Sequence, residues 1–108
     1  MPAAFLLDDK TFALETARLP APWQLAAKDS GAKGNALIAR FSLDSYACGL
    51  SAVAQIGAQA EASDHHPELT LVWGALTVRY ATHSANGITA LDIAAALQTS
   101  QIMAAIHA

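Results

Sequence analysis

Between residues 68 and 81 the chain alternates apolar and polar side chains. Leu69, Leu71, Trp73, Leu76, Val78 and Tyr80 fall on one face; Glu68, Thr70, Val72, Thr77, Arg79 and Ala81 fall on the other. A period of two marks half-buried strands, and Gly74-Ala75 offers a two-residue loop with glycine first, as a type II′ turn requires. The pattern predicts a hairpin in which Trp73 faces Leu76, Leu71 faces Val78 and Leu69 faces Tyr80. On the opposite face Val72, Thr70 and Glu68 meet Thr77, Arg79 and Ala81. Counting further outward sets His66 against His83, with Cβ atoms roughly 4.5–5.5 Å apart as cross-strand neighbours.

The remaining pattern supplies five more elements. A short helix is expected from residue 9 to about 18, with Asp8 as N-cap and Leu7 placed to staple against Phe12; Pro20 and Pro22 end it. Residues 23 to about 28 and 36 to 41 alternate as strands around the turn-rich connection 29–34. From residue 45 to 62, Tyr46, Leu50, Val53, Gly57 and Ala60 recur at helical spacing, which predicts a long amphipathic helix buried along that stripe. Asn86-Gly87 reads as a turn. Thr89 and Asp92 have the spacing of a capping box with aspartate in place of glutamate, opening a C-terminal helix through Ile93, Leu97, Ile102 and Ile106. The Gln98 to Gln101 stretch weakens its periodicity. The expected architecture is α+β: a four-stranded antiparallel sheet with three helices packed on one face, in the order α-β-β-α-β-β-α, leaving the other sheet face open.

Size and charge narrow the classes. The 108 residues, 54% hydrophobic and 14% charged, fit one domain spanning residues 1–108 with a real core. A formal charge of −3 with six scattered Lys and Arg leaves no footprint for nucleic acid. Cys48 stands alone, so no intrachain disulfide is possible, and its place in the long helix reads as a small buried hydrophobe. The first ten residues lack the basic start of a signal peptide and carry two aspartates, and no run reaches transmembrane length. A cytoplasmic location is expected, with no membrane contact.

Three of the four histidines gather on a short stretch: His65-His66-Pro67 and His83. Imidazole suits proton transfer because its reference pKa of about 6.5 keeps both protonation states accessible near neutrality. A competing interpretation has Pro67 opening a strand, with the histidines merely solvating its approach. Zinc is another: three histidines with Asp64 or Glu61 could ligate it, although adjacent side chains on a regular strand project to opposite faces. Asp92 has a capping role to perform whether or not it orients an imidazole. Glu61, near the end of the long helix, has the surface as its ordinary place. Trp23 and Trp73 read as core or pocket wall, with Trp73's predicted pairing favouring core. Arg79 is expected to keep the open face soluble, and His107 to be inert.

Glu61, His65-His66-Pro67, Trp73, His83 and Asp92, in this spacing, closely resemble the signature of the pterin-4a-carbinolamine dehydratase family. Leu19-Pro20 and Trp23, Thr82-His83 and Gly87-Ile88-Thr89 resemble further family features, and the resemblance covers about residues 6 to 103. It implies an enzyme that expels water from a 4a-hydroxytetrahydropterin, the product left by an aromatic amino-acid hydroxylase, and that needs no metal or redox cofactor. On the family's pattern His65 and His83 are the expected acids near the hydroxyl and His66 a substrate binder or base. Glu61, Asp64, Thr82, Asp92 and Trp23 are expected to bind the substrate or orient the catalytic groups. A homodimer or homotetramer is implied as well, since an unpaired strand edge invites pairing. The alternative is a binding or assembly module of the same fold, resembling a dimerisation cofactor of a transcription factor or a Rubisco assembly factor without the chemistry.

Overall fold

The computed structural model describes residues 7–27, 34–85 and 87–107. Its elements follow the expected order: α1 (Asp9–Ala17), β1 (Gln24–Ala27), β2 (Gly34–Ser42), α2 (Tyr46–Ser63), β3 (Glu68–Val72), β4 (Ala75–Tyr80), a 3-10 turn (His83–Ala85) and α3 (Ala90–His107). The fold is α+β, with a single antiparallel sheet ordered β1-β2-β4-β3. The two hairpins therefore join through β2 and β4, and β1 and β3 are the edges. Most of the 29–34 connection, and Asn86 of the predicted turn, lie outside the described residues. No described helix is long and apolar enough to cross a membrane.

Local chemistry starts each helix where the sequence indicates. Asp8 accepts the Thr11 N–H at 2.8 Å and caps α1; Ser45 accepts the Cys48 N–H at 3.1 Å and caps α2. Cys48 itself is free and half-buried, less enclosed than expected. The core lies between the helices and one sheet face, where Leu37, Leu76, Val78, Ile56 and Met103 are all but inaccessible. Each such side chain contributes roughly 1.5–3 kcal/mol by leaving water.

Three expectations require correction. The second hairpin turns at Trp73-Gly74, pairing Val72 with Ala75 and Leu71 with Leu76, a register two residues away from the predicted one. Gly74 has φ +87°, so the loop needs its glycine second, where an L side chain would be strained. A two-residue slip preserves parity, so every strand residue keeps its predicted face. Trp73 is consequently not core: it sits in the loop and is 82% exposed. Finally, α2 buries Gly49, Ala52, Ile56 and Ala60, leaving Tyr46 and Leu50 about half exposed. A Cβ on Gly49 would run into the side chains of Leu71 and Leu43, so the helix approaches the sheet on its smallest residues and turns larger ones outward.

This arrangement separates two substitutions that look alike in the sequence. Trp73→Ser is expected to change the unfolding free energy by no more than about 0.5 kcal/mol, whereas Leu76→Ala should cost about 2–5 kcal/mol. Urea midpoints of the two variants check the contrast.

Candidate active site

The end of α2 shapes the site. Asp64 adopts the left-handed conformation (φ 53°, ψ 40°), and both its N–H and that of His65, the latter at 3.1 Å, bond back to the Ala60 carbonyl. The helix is thereby closed by a Schellman-type six-to-one bond. Asp64 is exposed and acts here as the terminator. Residues 65–67 belong to no regular element, so the objection that neighbouring strand residues face opposite ways does not apply to His65 and His66. They diverge nonetheless, each toward its own carboxylate.

His65 turns inward. Its Nε2 lies 2.6 Å from Asp92 Oδ1, and its side chain is 11% exposed against 0% for Asp92. The other carboxylate oxygen accepts the Thr82 hydroxyl at 2.7 Å and the Thr89 N–H at 2.8 Å. Thr82 has spent its only proton on Asp92, so in the 2.8 Å contact between the two hydroxyls Thr89 is the donor. Thr89 Oγ1 in turn accepts the Leu91 N–H at 3.2 Å, completing the predicted capping box. Asp92 is both cap and orienter: one buried carboxylate starts α3 and grips the imidazole. A carboxylate in its ionised form only accepts, so this contact calls for the tautomer with the proton on Nε2 of His65 and leaves Nδ1 outside the pair.

Behind His65 lies Tyr80, its ring plane 10° from the imidazole with centroids 6.0 Å apart. The Tyr80 hydroxyl bonds Thr99 Oγ1 at 2.8 Å, and Trp23 lies 6.0 Å from the phenol ring. Trp23 is buried and donates its indole N–H to Ser100 Oγ at 2.8 Å, so it supports the site from the core. Burial pushes the Tyr80 phenol above its ordinary value of 10.0; the Thr99 hydrogen bond opposes this and the Asp92 charge adds to it. The folded chain therefore retains a proton that the unfolded chain releases. The resulting stability is complete below pH 10 and is lost as the pH rises from there through the higher folded value. Urea midpoints measured between pH 8 and 11 should fall more steeply for the native chain than for Tyr80→Phe.

His66 turns outward, with Nε2 3.0 Å from Glu61 Oε1 in an exposed pair. Together with Pro67, Glu68, Arg79, Ala81 and His83 it lines a cleft of about 320 Å³. His83 reaches this cleft from the 3-10 turn that follows β4. The corrected register removes the predicted pairing of His66 with His83, yet both imidazoles line one cavity. His65 is not among its walls. Arg79, expected only to solubilise the open face, lines the cleft 3.9 Å from Glu68 Oε2. The alternation had already put it on the histidine face. Among the described residues no three His, Cys, Asp or Glu converge to hold a metal ion. A larger groove of about 570 Å³ between Pro20, Phe41 and α3 has no titratable wall.

The site thus joins an α+β sheet-and-helix domain to two imidazoles, His66 and His83, on one cleft and a third, His65, held by a buried carboxylate. Residues 6–102 match the family described as pterin 4 alpha carbinolamine dehydratase, and the chain belongs to that family. A Natronomonas pharaonis protein named "Putative pterin-4-alpha-carbinolamine dehydratase" is 39% identical over 77 residues, covering 71% of this chain and 76% of that one. A Halobacterium salinarum protein of the same name is 31% identical over 93 residues, covering 86% and 91%. A crystal structure described as a transcriptional coactivator/pterin dehydratase from Brucella melitensis superposes with a TM-score of 0.77 at 30% identity, covering 89% of this chain and 96% of that one.

Proposed function

We propose that the chain dehydrates a 4a-hydroxytetrahydropterin to the quinonoid dihydropterin, recycling the cofactor of an aromatic amino-acid hydroxylase. The observation that carries this reading is the pairing of His66 and His83 on one cleft beside a third imidazole tied to a buried aspartate. In the reaction the C4a–O bond breaks, a proton goes to the departing oxygen, the N5 proton is removed, and a C4a=N5 double bond forms with loss of one water. His83 and His65 serve as acids at the hydroxyl, His65 through its Nδ1 in the imidazolium form, in which both ring nitrogens carry protons and Asp92 balances the charge. His66, steadied by Glu61, binds the pterin or takes the N5 proton. General acid–base groups of this kind contribute about 10²–10⁴-fold each. Asp92 and Thr82 act by holding His65. Arg79 contacts the ligand from the cleft wall.

Stopped-flow absorbance on freshly generated 4a-hydroxytetrahydropterin tests the proposal. Catalytic amounts of protein should accelerate water loss; an unaltered spontaneous rate would remove the reading. A non-catalytic protein-binding or assembly role is the second reading, and for it, as for a homo-oligomer of the enzyme, Tyr46, Leu50 and Trp73 stand exposed and β3 is an edge strand. Light scattering after size exclusion should give a dimer or tetramer mass.

A further inference from the structure

Tyr80 closes β4 at 2% exposure, where an aliphatic side chain could fill the same space with no polar atom to satisfy. The chain instead buries a phenol and a second hydroxyl, Thr99, to satisfy it. Thr99 and Asp92 are seven residues apart on α3, two helical turns or about 10.5 Å along one face. One helix thus carries the carboxylate that grips Nε2 of His65 and the hydroxyl that anchors the ring stacked on the same imidazole. A single hydrogen bond leaves an imidazole free to rock about its axis. A near-parallel ring packed 6.0 Å away, itself fastened at the far end, restricts that freedom.

We propose that Tyr80 is a positioning residue for His65, holding the imidazole plane while Asp92 fixes its tautomer, so that Nδ1 stays aimed for proton transfer. The kinetic consequence rests on the dehydratase reading, but the structural consequence does not. Solvent exchange of the His65 Nε2–H, followed by NMR on the full chain, reads the clamp without any turnover. Tyr80→Phe keeps the ring but loses the Thr99 anchor, and should speed exchange as Thr99→Val does, by less than Tyr80→Leu. Tyr80→Leu should speed exchange about tenfold and lower kcat by a similar factor, as a misaimed catalytic group does. KM should stay unchanged, because Tyr80 does not line the cleft. A tyrosine that merely packs would lower the melting temperature of Tyr80→Leu with native exchange and kcat, and that result overturns the proposal. Should Tyr80→Leu fail to fold, Thr99→Val carries the test: it retains the ring, cuts its anchor and should also speed exchange, and a native rate would be equally contrary. If the native protein shows no dehydration while exchange follows the variants as stated, the clamp stands and the dehydratase reading falls.

Discussion

Asp92→Asn is expected to yield a folded protein whose dehydration rate is lower by on the order of 10²-fold or more. The carboxylate accepts from three donors: His65 Nε2–H, the Thr82 hydroxyl and the Thr89 N–H. An amide of the same shape has one oxygen and one NH2, so at least one donor loses its acceptor. If the NH2 faces His65, Nε2 must become the acceptor and the proton moves to Nδ1, which exchanges the donor and acceptor nitrogens of the ring. The stability cost should be about 1–2 kcal/mol. Asp92→Ala strands all three donors and removes the capping carboxylate, with an expected loss of about 2–4 kcal/mol. Urea unfolding alongside kcat distinguishes them: asparagine should damage chemistry more than fold, and alanine both.

The other large effect belongs to the two imidazoles proposed above as acids. The double substitution His65→Ala, His83→Ala should reduce water loss by about 10³–10⁴-fold, bringing it near the spontaneous rate. Each single variant should retain part of the activity if the two imidazoles serve opposite C4a stereoisomers of the substrate. His83 lines the cleft, whereas His65 is held on Asp92 and is not among the cleft walls. Stopped-flow traces on the mixed isomers should then become biphasic in the single variants, with one phase preserved. Native turnover in the double variant would defeat the assignment of both roles.

Element order was legible in the sequence because the period of two stays clean through β3 and β4 and helical spacing marks α2 and, despite the break at Gln98–Gln101, α3. The hairpin register was not, since a two-residue slip leaves the alternation unchanged and only the φ of Gly74 decides it. The buried stripe of α2 was misread because hydrophobic spacing favours large residues, whereas close approach to Leu71 and Leu43 selects Gly49 and its small neighbours. The Asp92 cap was legible from its spacing, and its contact with an imidazole follows the pairing that the family resemblance implied. Tyr80 was hidden: a tyrosine on an apolar face reads as core, and nothing local reveals its stacking on a residue fifteen positions earlier. Its signal lay in α3, where Thr99 and Ser100 interrupt the apolar pattern. Those interruptions are the partners of the Tyr80 hydroxyl and the Trp23 indole.

A crystal structure with an unreactive dihydropterin bears most directly on the claim that separate imidazoles act on one bicyclic ligand. The account predicts the ring system between His66 and His83, with an imidazole nitrogen within about 2.6–3.2 Å of N5 or of the position of the C4a hydroxyl. Ligand lodged in the apolar groove beside Phe41 and Met103, with the histidine cleft empty, would contradict it.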